Sequence, residues 1–515
     1  MKGIDLYSGI GGWTLGMKFS GFENINSYEW NKYSIETHNK NFGTSLKTVD
    51  IRKLNLSDLP KPGKLDFVVG SPPCTQFSYS NRGGSGDISD GLVDIYKFLE
   101  IVDYLKPKYW VMENVPRVKK IIDKVISEDL NFKKFKSLIK FNEVVNVSDY
   151  GVPQKRKRMI CGDFPFDFFL SYKGIIHKKT LGDVISSLGY SPVEDPNYNI
   201  TLTNVEDNIK ESYLSKTEER INRNNKTFHH IYNKMSFPDL INLPSRTITS
   251  TCTRVSRESI IIEENKQFRR LTLREKSCIQ GFPINFKFFG NSYSIKEKMI
   301  GNSIPPILTY LLFESMKKTP VESLITTEKM DKHDFRGSNL NSKKTLPPIP
   351  KNVYNQNRRF RFCVPYLRFG SGVRFELNNM FDKGNWGITF FYGNSKSIFQ
   401  LNLNNKVKLY LEDLLNEKLE TYFINHNSLL TLKSKELQNY WISKDKNFIP
   451  FEVLDEIGSL VLKTSEIIEN KISDFEIFYT LFDEEINKKI IENINLILSG
   501  IIIGTTLNSY LQNDC

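Results

Sequence analysis

Residues 66–78 read Asp-Phe-Val-Val-Gly-Ser-Pro-Pro-Cys-Thr-Gln-Phe-Ser. The short apolar run Phe67–Val69 stops at Gly-Ser-Pro-Pro, which predicts a buried strand followed by a rigid turn. Cys74 would then lie at the carboxyl end of a strand, where ligands bind in open α/β sheets. A thiol is strongly nucleophilic near neutral pH when its surroundings favour the thiolate. Cys74 is therefore a candidate nucleophile, although a lone cysteine is equally compatible with a small buried apolar residue.

The amino-terminal residues predict a binding unit for a nucleotide-like ligand. Residues 2–7 have the composition of a strand, and the glycine-rich turn Ser8–Gly12 separates them from an amphipathic stretch. A turn without side chains lets a ligand approach the backbone, but its spacing differs from G-x-G-x-x-G and makes a nicotinamide cofactor less favoured. Two later strand ends offer Glu29-Trp30 and Asp50-Ile51. A carboxylate in such a place can hold ribose hydroxyls, so a nucleoside-bearing cofactor is indicated.

Two further stretches add charged side chains. Tyr109–Met112 reads as a buried strand that leads into Glu113, so Glu113 falls on the same rim as Cys74 or caps the following helix. Alternation along a short strand puts Arg156 and Arg158 on one side. A run of cations more often forms a solvated face, and both interpretations stay open.

Composition limits the class of protein. The chain has 515 residues and a net charge of +12, which favours two or three folded domains. Most of the positive excess precedes residue 331, and residues 331–410 carry 14 Lys and Arg against 4 Asp and Glu. A polyanionic partner and simple solubility both account for such a charge.

Cysteine usage and hydropathy exclude other classes. The six cysteines lack the paired spacing of a disulfide framework or a zinc site, so no metal is expected. No apolar stretch approaches the length of a membrane helix, and the amino terminus lacks the layout of a signal peptide. We therefore expect a cytoplasmic protein without a membrane partner.

The order of the motifs resembles that of the DNA cytosine-5 methyltransferases. A glycine turn, Pro-Pro-Cys, Glu-Asn-Val, Gln-x-Arg-x-Arg and Gly301-Asn302-Ser303-Ile304-Pro305 follow one another at the spacings of that family, from residue 2 to about residue 318. The resemblance implies an α/β protein with a doubly wound, mostly parallel sheet, the class I S-adenosylmethionine-dependent methyltransferase fold. It also implies S-adenosylmethionine as cofactor and double-stranded DNA as partner.

The expected site residues fall into three groups. The catalytic residues are Cys74, Glu113, Arg156 and Arg158. The cofactor-binding residues are Tyr7, Ser8, Gly9, Gly11, Gly12, Glu29, Trp30, Asp50, Ile51, Pro73, Asn302 and Ser303. The DNA-binding residues are Gln76, Ser78, Arg82, Arg246, Thr247 and Arg254. The chain departs from the family at Thr75, where Gln commonly follows the nucleophilic Cys; here Gln76 comes one residue later.

The implied chemistry explains the residue types. Carbon 5 of cytosine becomes nucleophilic only after a thiolate, here that of Cys74, adds to carbon 6. Glu113 can then protonate or hydrogen-bond the ring as negative charge develops, and the two arginines can hold the adduct. A stacked base is out of reach, so the target must be flipped out, with the glycine-rich loop 80–91 as the candidate that closes behind it. The base that removes the carbon 5 proton is open, and bound water is one option.

The sequence also predicts a domain division. Residues 1–163 and 271–320 would form the catalytic domain, 164–270 a small target-recognition region, 321–352 a semi-rigid linker, and 353–515 an accessory α+β domain. The Thr-rich stretch around Arg246 suits DNA contacts or an edge strand.

Four hypotheses about the function stay open. The leading hypothesis is a monomeric DNA methyltransferase of restriction-modification or phage defence, with cognate restriction or defence proteins as partners. The same chemistry on transfer RNA is a second hypothesis, and a catalytically silent DNA-binding relative is a third. The fourth is a nuclease fused in residues 351–515.

Overall fold

The computed structural model describes residues 1–74, 76–77, 88–227, 235–349, 360–369, 373–379, 386–391, 413, 450–471, 495–496, 498–500 and 502–503. The chain divides into two compact units. The larger unit contains residues 1–222 and 236–350, and the smaller one contains residues 223–235 and 351–515.

The described strands are β1 Lys2–Leu6, β2 Glu23–Tyr28, β3 Phe67–Gly70, β4 Tyr109–Asn114, β5 Phe141–Asn146, β6 Gln154–Lys155, β7 Lys157–Asp163, β8 Val193–Glu194, β9 Thr201–Leu202, β10 Ser245–Arg246, β11 Ile261–Glu264, β12 Gln267–Arg270, β13 Phe360–Phe369, β14 Val373–Asn379 and β15 Trp386–Phe391. The described α-helices are α1 Gly12–Phe19, α2 Lys32–Phe42, α3 Ser89–Leu105, α4 Arg117–Glu128, α5 Leu130–Lys133, α6 Phe166–Ser171, α7 Leu181–Ser187, α8 Lys216–Thr227, α9 Leu273–Ile279, α10 Tyr293–Asn302, α11 Pro306–Lys317 and α12 Pro450–Lys471.

The larger unit is built on a six-stranded sheet with the order β2-β1-β3-β4-β7-β5. β1 pairs in parallel with β2 and β3, and β3 pairs in parallel with β4. Only β7 runs against its neighbours β4 and β5 within this sheet. The prediction of an α/β protein with a mostly parallel sheet is confirmed.

Alternation along β3 explains why helices cover both faces of this sheet. Phe67 and Val69 belong to the apolar cluster that contains Trp13 of α1, whereas Val68 belongs to the cluster that contains Phe98 of α3. Successive strand residues point to opposite faces, so a fully apolar strand needs a packed layer on each side. Each such side chain contributes about 1.5–3 kcal/mol on burial. The two layers fix the carboxyl ends of β3 and β4 next to one another.

The middle of the chain, residues 164–270, has short elements. β10 pairs in parallel with β6, and β11 forms a hairpin with β12. Apart from 223–235, these residues belong to the larger compact unit. The predicted division into a separate recognition region therefore stays a prediction.

Part of the predicted linker is packed. Leu324, Met330 and Phe335 are at most 7% exposed, and Asn285 Nδ2 donates to the carbonyl of Phe335 over 2.8 Å. The sequence predicted a semi-rigid linker over 321–352, and within it three widely spaced apolar side chains are buried in the core. Residues 324–335 are thus part of the larger unit.

The smaller unit contains an antiparallel sheet with the order β13-β14-β15 and helix α12, which lies against β13. Ile457, Val461, Thr464 and Ile468 are fully buried, and their spacing marks one face of α12. The predicted accessory domain over 353–515 stays a prediction, since most of these residues lie outside the described ranges. Among the helices of the described ranges, none combines the length and apolar character needed to cross a membrane.

Candidate active site

The register of the central sheet brings the expected catalytic residues to one edge. Gly70, at the end of β3, pairs with Met112 of β4, and Glu113 follows Met112 directly. Glu113 in turn pairs with Ile160 of β7, the strand that also carries Arg158. Cys74 follows β3 by four residues. The strand pairing therefore collects groups that are far apart in the sequence.

Glu113 and Arg158 form a close ion pair. Arg158 Nε lies 2.8 Å from Glu113 Oε1, and the two residues are 9% and 6% exposed. Arg158 Nη1 also donates to the carbonyl of Lys157 over 2.7 Å. With two of its donors engaged, the guanidinium holds the Glu113 carboxyl group in one orientation.

The thiol of Cys74 lies within the electrostatic reach of this pair. Burial raises the pKa of Cys74, the charge of Arg158 opposes that rise, Glu113 adds to it and Arg156 opposes it. Cys74 nevertheless keeps partial access to the surface. The four groups named from the sequence thus converge, and their catalytic roles stay predictions.

Arg156 is engaged by backbone rather than directed to solvent. It is 3% exposed, its Nη1 donates to the carbonyl of Ile248 over 3.0 Å, and its Nη2 donates to the carbonyl of Gly301 over 3.0 Å. Burial lowers the pKa of Arg156 to about 9, so the group keeps its charge near neutral pH. These contacts favour a positioning role over the direct hold on the base that the sequence suggested.

Asn114 is a positioning residue that the sequence reasoning missed. Its Nδ2 donates to the carbonyl of Pro72 over 3.1 Å, and its Oδ1 accepts from the backbone N–H of Val115 over 2.8 Å. It therefore ties the turn before Cys74 to the turn after Glu113. The only available signal was its place directly after Glu113.

The glycine turn after β1 is organised around Glu29. The Glu29 carboxylate accepts from the backbone N–H groups of Gly9 (2.8 Å), Trp30 (2.9 Å) and Asn31 (2.8 Å). Burial raises the pKa of Glu29, and the three hydrogen bonds oppose that rise. Gly9 has a φ of 55° and open space where a Cβ would lie.

This turn fits a nucleoside-bearing cofactor. Ser8 is buried and its Oγ finds no partner among the described residues, so a polar ligand group could satisfy it. A Cβ at Gly12 would lie 2.4 Å from the carbonyl oxygen of Ile304. Gly12 therefore lets the turn lie directly against the segment that carries Asn302 and Ser303.

The remaining residues that are expected to bind the cofactor differ in their burial and in their contacts. Tyr7 donates from its hydroxyl to Asp94 Oδ1 over 3.2 Å, and burial raises its pKa. Trp30 is 67% exposed, which leaves its ring free for stacking. The structure buries Ile51, Gly11 and Ser303 and leaves Pro73 and Asn302 exposed. Asp50 caps a short 3-10 helix by accepting from the N–H of Arg52.

Arg52, two residues after Asp50, pairs with two carboxylates of α3. It lies 2.6 Å from Asp90 Oδ1 and 2.7 Å from Asp94 Oδ2. Gln76 Nε2 donates to the other oxygen of Asp90, so this expected DNA contact is already engaged with protein. Arg52 was missed because its partners lie about 40 residues away. Ser78 and Arg82, the other DNA contacts expected here, lie outside the described residues.

The arginines of the expected recognition stretch differ in accessibility. Arg246 pairs with Asp239 at 2.5 Å and keeps 25% of its side chain exposed. Thr247 is half-buried, and its Oγ1 donates to the carbonyl of Lys155 over 3.0 Å. Both stay candidates for DNA contact.

The position of Arg254 does not support the prediction that it contacts DNA. It is 4% exposed and lies 3.0 Å from Glu211 and 2.7 Å from Glu218, whose side chains are fully buried. The two carboxylates occupy its guanidinium, so its role in this structure is to hold the segment together.

Comparisons with known proteins cover the same region. A profile of the family described as C-5 cytosine-specific DNA methylase matches residues 1–318. Type II methyltransferase M.FnuDI of Fusobacterium nucleatum is 30% identical over 344 residues, which cover 62% of this chain and 95% of that protein. Type II methyltransferase M.HindV of Haemophilus influenzae is 30% identical over 339 residues, which cover 63% of this chain and 100% of that protein. The solved Dnmt2 methyltransferase of S. pombe matches with a TM-score of 0.43 and 17% identity, over 61% of this chain and 97% of that chain.

Proposed function

The chain belongs to the family of C-5 cytosine-specific DNA methylases, and from this premise we propose that it transfers a methyl group from S-adenosylmethionine to carbon 5 of a flipped-out cytosine in duplex DNA. The transfer proceeds through a covalent adduct with Cys74. The order of the central sheet, with one antiparallel strand beside the parallel ones, supports the class I methyltransferase fold.

One observation carries the proposal. A partly accessible thiol, that of Cys74, lies within electrostatic reach of Arg158, Glu113 and Arg156 at the carboxyl edge of the sheet. A thiol that only filled a core would need neither access nor charged neighbours. Cys161, by comparison, is fully buried in β7.

Cys74 and Glu113 act on different atoms of the target base. The Cys74 thiolate adds to carbon 6, and negative charge moves toward ring nitrogen 3 and the exocyclic amine. The Glu113 carboxylate can accept a hydrogen bond from the exocyclic amine, and a proton taken up from solvent lets it donate to nitrogen 3, in the orientation that its 2.8 Å contact with Arg158 imposes. After transfer, loss of the carbon 5 proton lets the electrons return and expels the Cys74 sulfur.

The donor is held by the turn after β1. When bound, S-adenosylmethionine supplies an electrophilic methyl group on a sulfonium centre. Ser8 offers its unpartnered Oγ, Gly9 leaves open space for close approach, and the Glu29 carboxylate can accept from ribose hydroxyls. Trp30 offers an exposed ring to the adenine.

The biological setting follows from the relatives. M.FnuDI and M.HindV are named type II methyltransferases, so we place this enzyme in a restriction-modification or phage-defence system. Arg246 and Thr247 are the described side chains that we assign to DNA contact. We propose a cytoplasmic monomer, with cognate restriction or defence proteins as partners.

A label-transfer assay tests the function. The full-length protein is incubated with S-adenosylmethionine labelled in the methyl group and, separately, with duplex DNA or transfer RNA. We expect label at carbon 5 of cytosine in the DNA only. Methylation-sensitive sequencing of DNA from cells that express the protein then identifies the target sequence. Transfer to RNA alone, or to neither substrate, would contradict the proposal.

The rate of transfer should rise with pH. Burial raises the pKa of the Cys74 thiol. The charge of Arg158 opposes this rise, that of Glu113 adds to it and that of Arg156 opposes it. The attacking thiolate is therefore the minor form near neutral pH. Below that pKa the thiolate fraction grows by about tenfold per pH unit, so the single-turnover rate should climb between about pH 6.5 and about pH 9. Affinity for S-adenosylhomocysteine over the same range is the control for binding. A flat or falling rate profile would contradict attack by a buried thiol.

A further inference from the structure

Three buried polar side chains form a cluster beneath the proposed active site. Gln154 and Gln280 are fully buried, and Arg156 is 3% exposed. Gln154 Nε2 donates to Gln280 Oε1 over 2.7 Å. We call these residues the Gln-Arg-Gln cluster. Buried polar groups need partners. Gln154 Nε2 also donates to the carbonyl of Ile279, next to Gln280, over 3.4 Å, and the other partners of this cluster are backbone groups of two further segments.

The first segment carries the proposed DNA contacts. The backbone N–H of Ile248 donates to Gln154 Oε1 over 2.9 Å, and Arg156 Nη1 donates to the carbonyl of Ile248 over 3.0 Å. Both polar groups of this residue are therefore held by the cluster. Ile248 follows Arg246 and Thr247 directly, so the cluster fixes the backbone from which these two side chains project.

The second segment carries the proposed cofactor contacts Asn302 and Ser303. Arg156 Nη2 donates to the carbonyls of Gly301 over 3.0 Å and of Ser303 over 3.4 Å. Gln280 Nε2 also donates to the carbonyl of Ser303. The same cluster therefore fixes this turn.

The two segments also touch directly. A Cβ at Gly301 would lie 2.5 Å from the backbone nitrogen of Ser250 and from the carbonyl oxygen of Thr249. No side chain would fit at Gly301, so the backbone after Ile248 runs closely over the turn that carries Asn302 and Ser303. The two segments therefore share a direct contact and hydrogen bonds through the cluster.

We propose that Gln280 is a positioning residue that couples binding of the methyl donor to binding of DNA. Its amide joins the Ser303 carbonyl to Gln154, which holds Ile248. The inference rests on the proposed function, because it takes S-adenosylmethionine as the ligand near Ser303 and duplex DNA as the ligand near Arg246. Coupling is reciprocal: each ligand changes the affinity for the other by the same factor.

The test measures that factor directly in the full-length protein. The Kd of S-adenosylhomocysteine, which cannot react, is determined alone and with a saturating duplex that carries the target sequence. The ratio of the two values is the coupling factor, and factors of about 5 to 150 are typical of coupled sites. In Gln280→Met, which removes both the donor and the acceptor, we expect the factor to fall by about tenfold, equivalent to about 1.4 kcal/mol.

Two further variants separate coupling from a structural effect. Asn197 is 1% exposed and donates over 2.8 Å to the carbonyl of Cys278, in the same helix α9 that precedes Gln280. Asn197→Leu should lower the melting temperature and keep the wild-type coupling factor. Gln280→Glu keeps an acceptor for Gln154 but cannot donate to Ser303 when ionised, so it should lose coupling even if Gln280→Met fails to fold.

The outcomes are distinct. A wild-type factor near 1, or a Gln280 variant that folds and retains the wild-type factor, would overturn the inference while methyl transfer stands. Equal loss of coupling in Asn197→Leu would also overturn it, because the effect would then follow stability. A wild-type protein that transfers no label to DNA would instead refute the proposed function.

Discussion

Cys74→Ser should lose methyl transfer by at least about 10³-fold, because removal of a covalent nucleophile is among the costliest changes an enzyme site can suffer. A serine hydroxyl is almost fully protonated near neutral pH, so it cannot replace the thiolate. The measurement is single-turnover transfer of labelled methyl to the target duplex. A second readout is the adduct with a duplex that contains 5-fluorocytosine, which wild type should form and the variant should not.

Cys252 provides the matched control. It has the same intermediate exposure as Cys74, and its Sγ lies 3.2 Å from Glu297 Oε1, a hydrogen bond that a serine hydroxyl can replace. Cys252→Ser should therefore keep nearly wild-type transfer and adduct formation. If Cys74→Ser transferred methyl at the rate of Cys252→Ser, attack by Cys74 would be excluded.

Glu113→Gln should slow transfer by about 10²–10⁴-fold, the usual cost of losing a positioned acid-base group. The substitution preserves shape but removes the charge that pairs with Arg158 at 2.8 Å, so it also leaves a mostly buried guanidinium without its counterion. Both effects act at the point where charge develops on the ring. The reduction should appear in the single-turnover rate more than in DNA affinity.

An exposed carboxylate on β5, two strands away in the same sheet, is the control for this change. Glu143 lies in β5, its side chain is 55% exposed, and it approaches Lys119 only to 3.6 Å. Such a surface pair contributes little, so Glu143→Gln should be close to wild type in rate and stability. Glu113→Gln with a rate within about tenfold of Glu143→Gln would rule out an acid-base role at this position.

Much of the sheet was predictable because its signals are local. The apolar run before Gly70 and the run before Glu113 each predicted a strand, and both strands lie in the sheet. The amphipathic stretch that follows the glycine-rich turn forms α1 Gly12–Phe19. Local signals did not indicate the burial of Phe335, which lies isolated in polar sequence yet is 1% exposed. Its ring packs against Phe286 and against Phe42, which lies near the amino terminus.

The sequence by itself determined the sheet and the rim on which Cys74 and Glu113 meet, because strands are set by short-range patterns and the carboxyl ends of parallel strands share one edge. Only the tertiary structure decided what each polar side chain contacts. The sequence suggested that Arg254 contacts DNA, but Glu211 and Glu218 surround its guanidinium group. It suggested that Arg156 acts on the base, but Arg156 donates to backbone carbonyls. Whether an arginine side chain is available to a ligand depends on the residues that distant segments of the chain place around it. A local sequence pattern does not specify those residues.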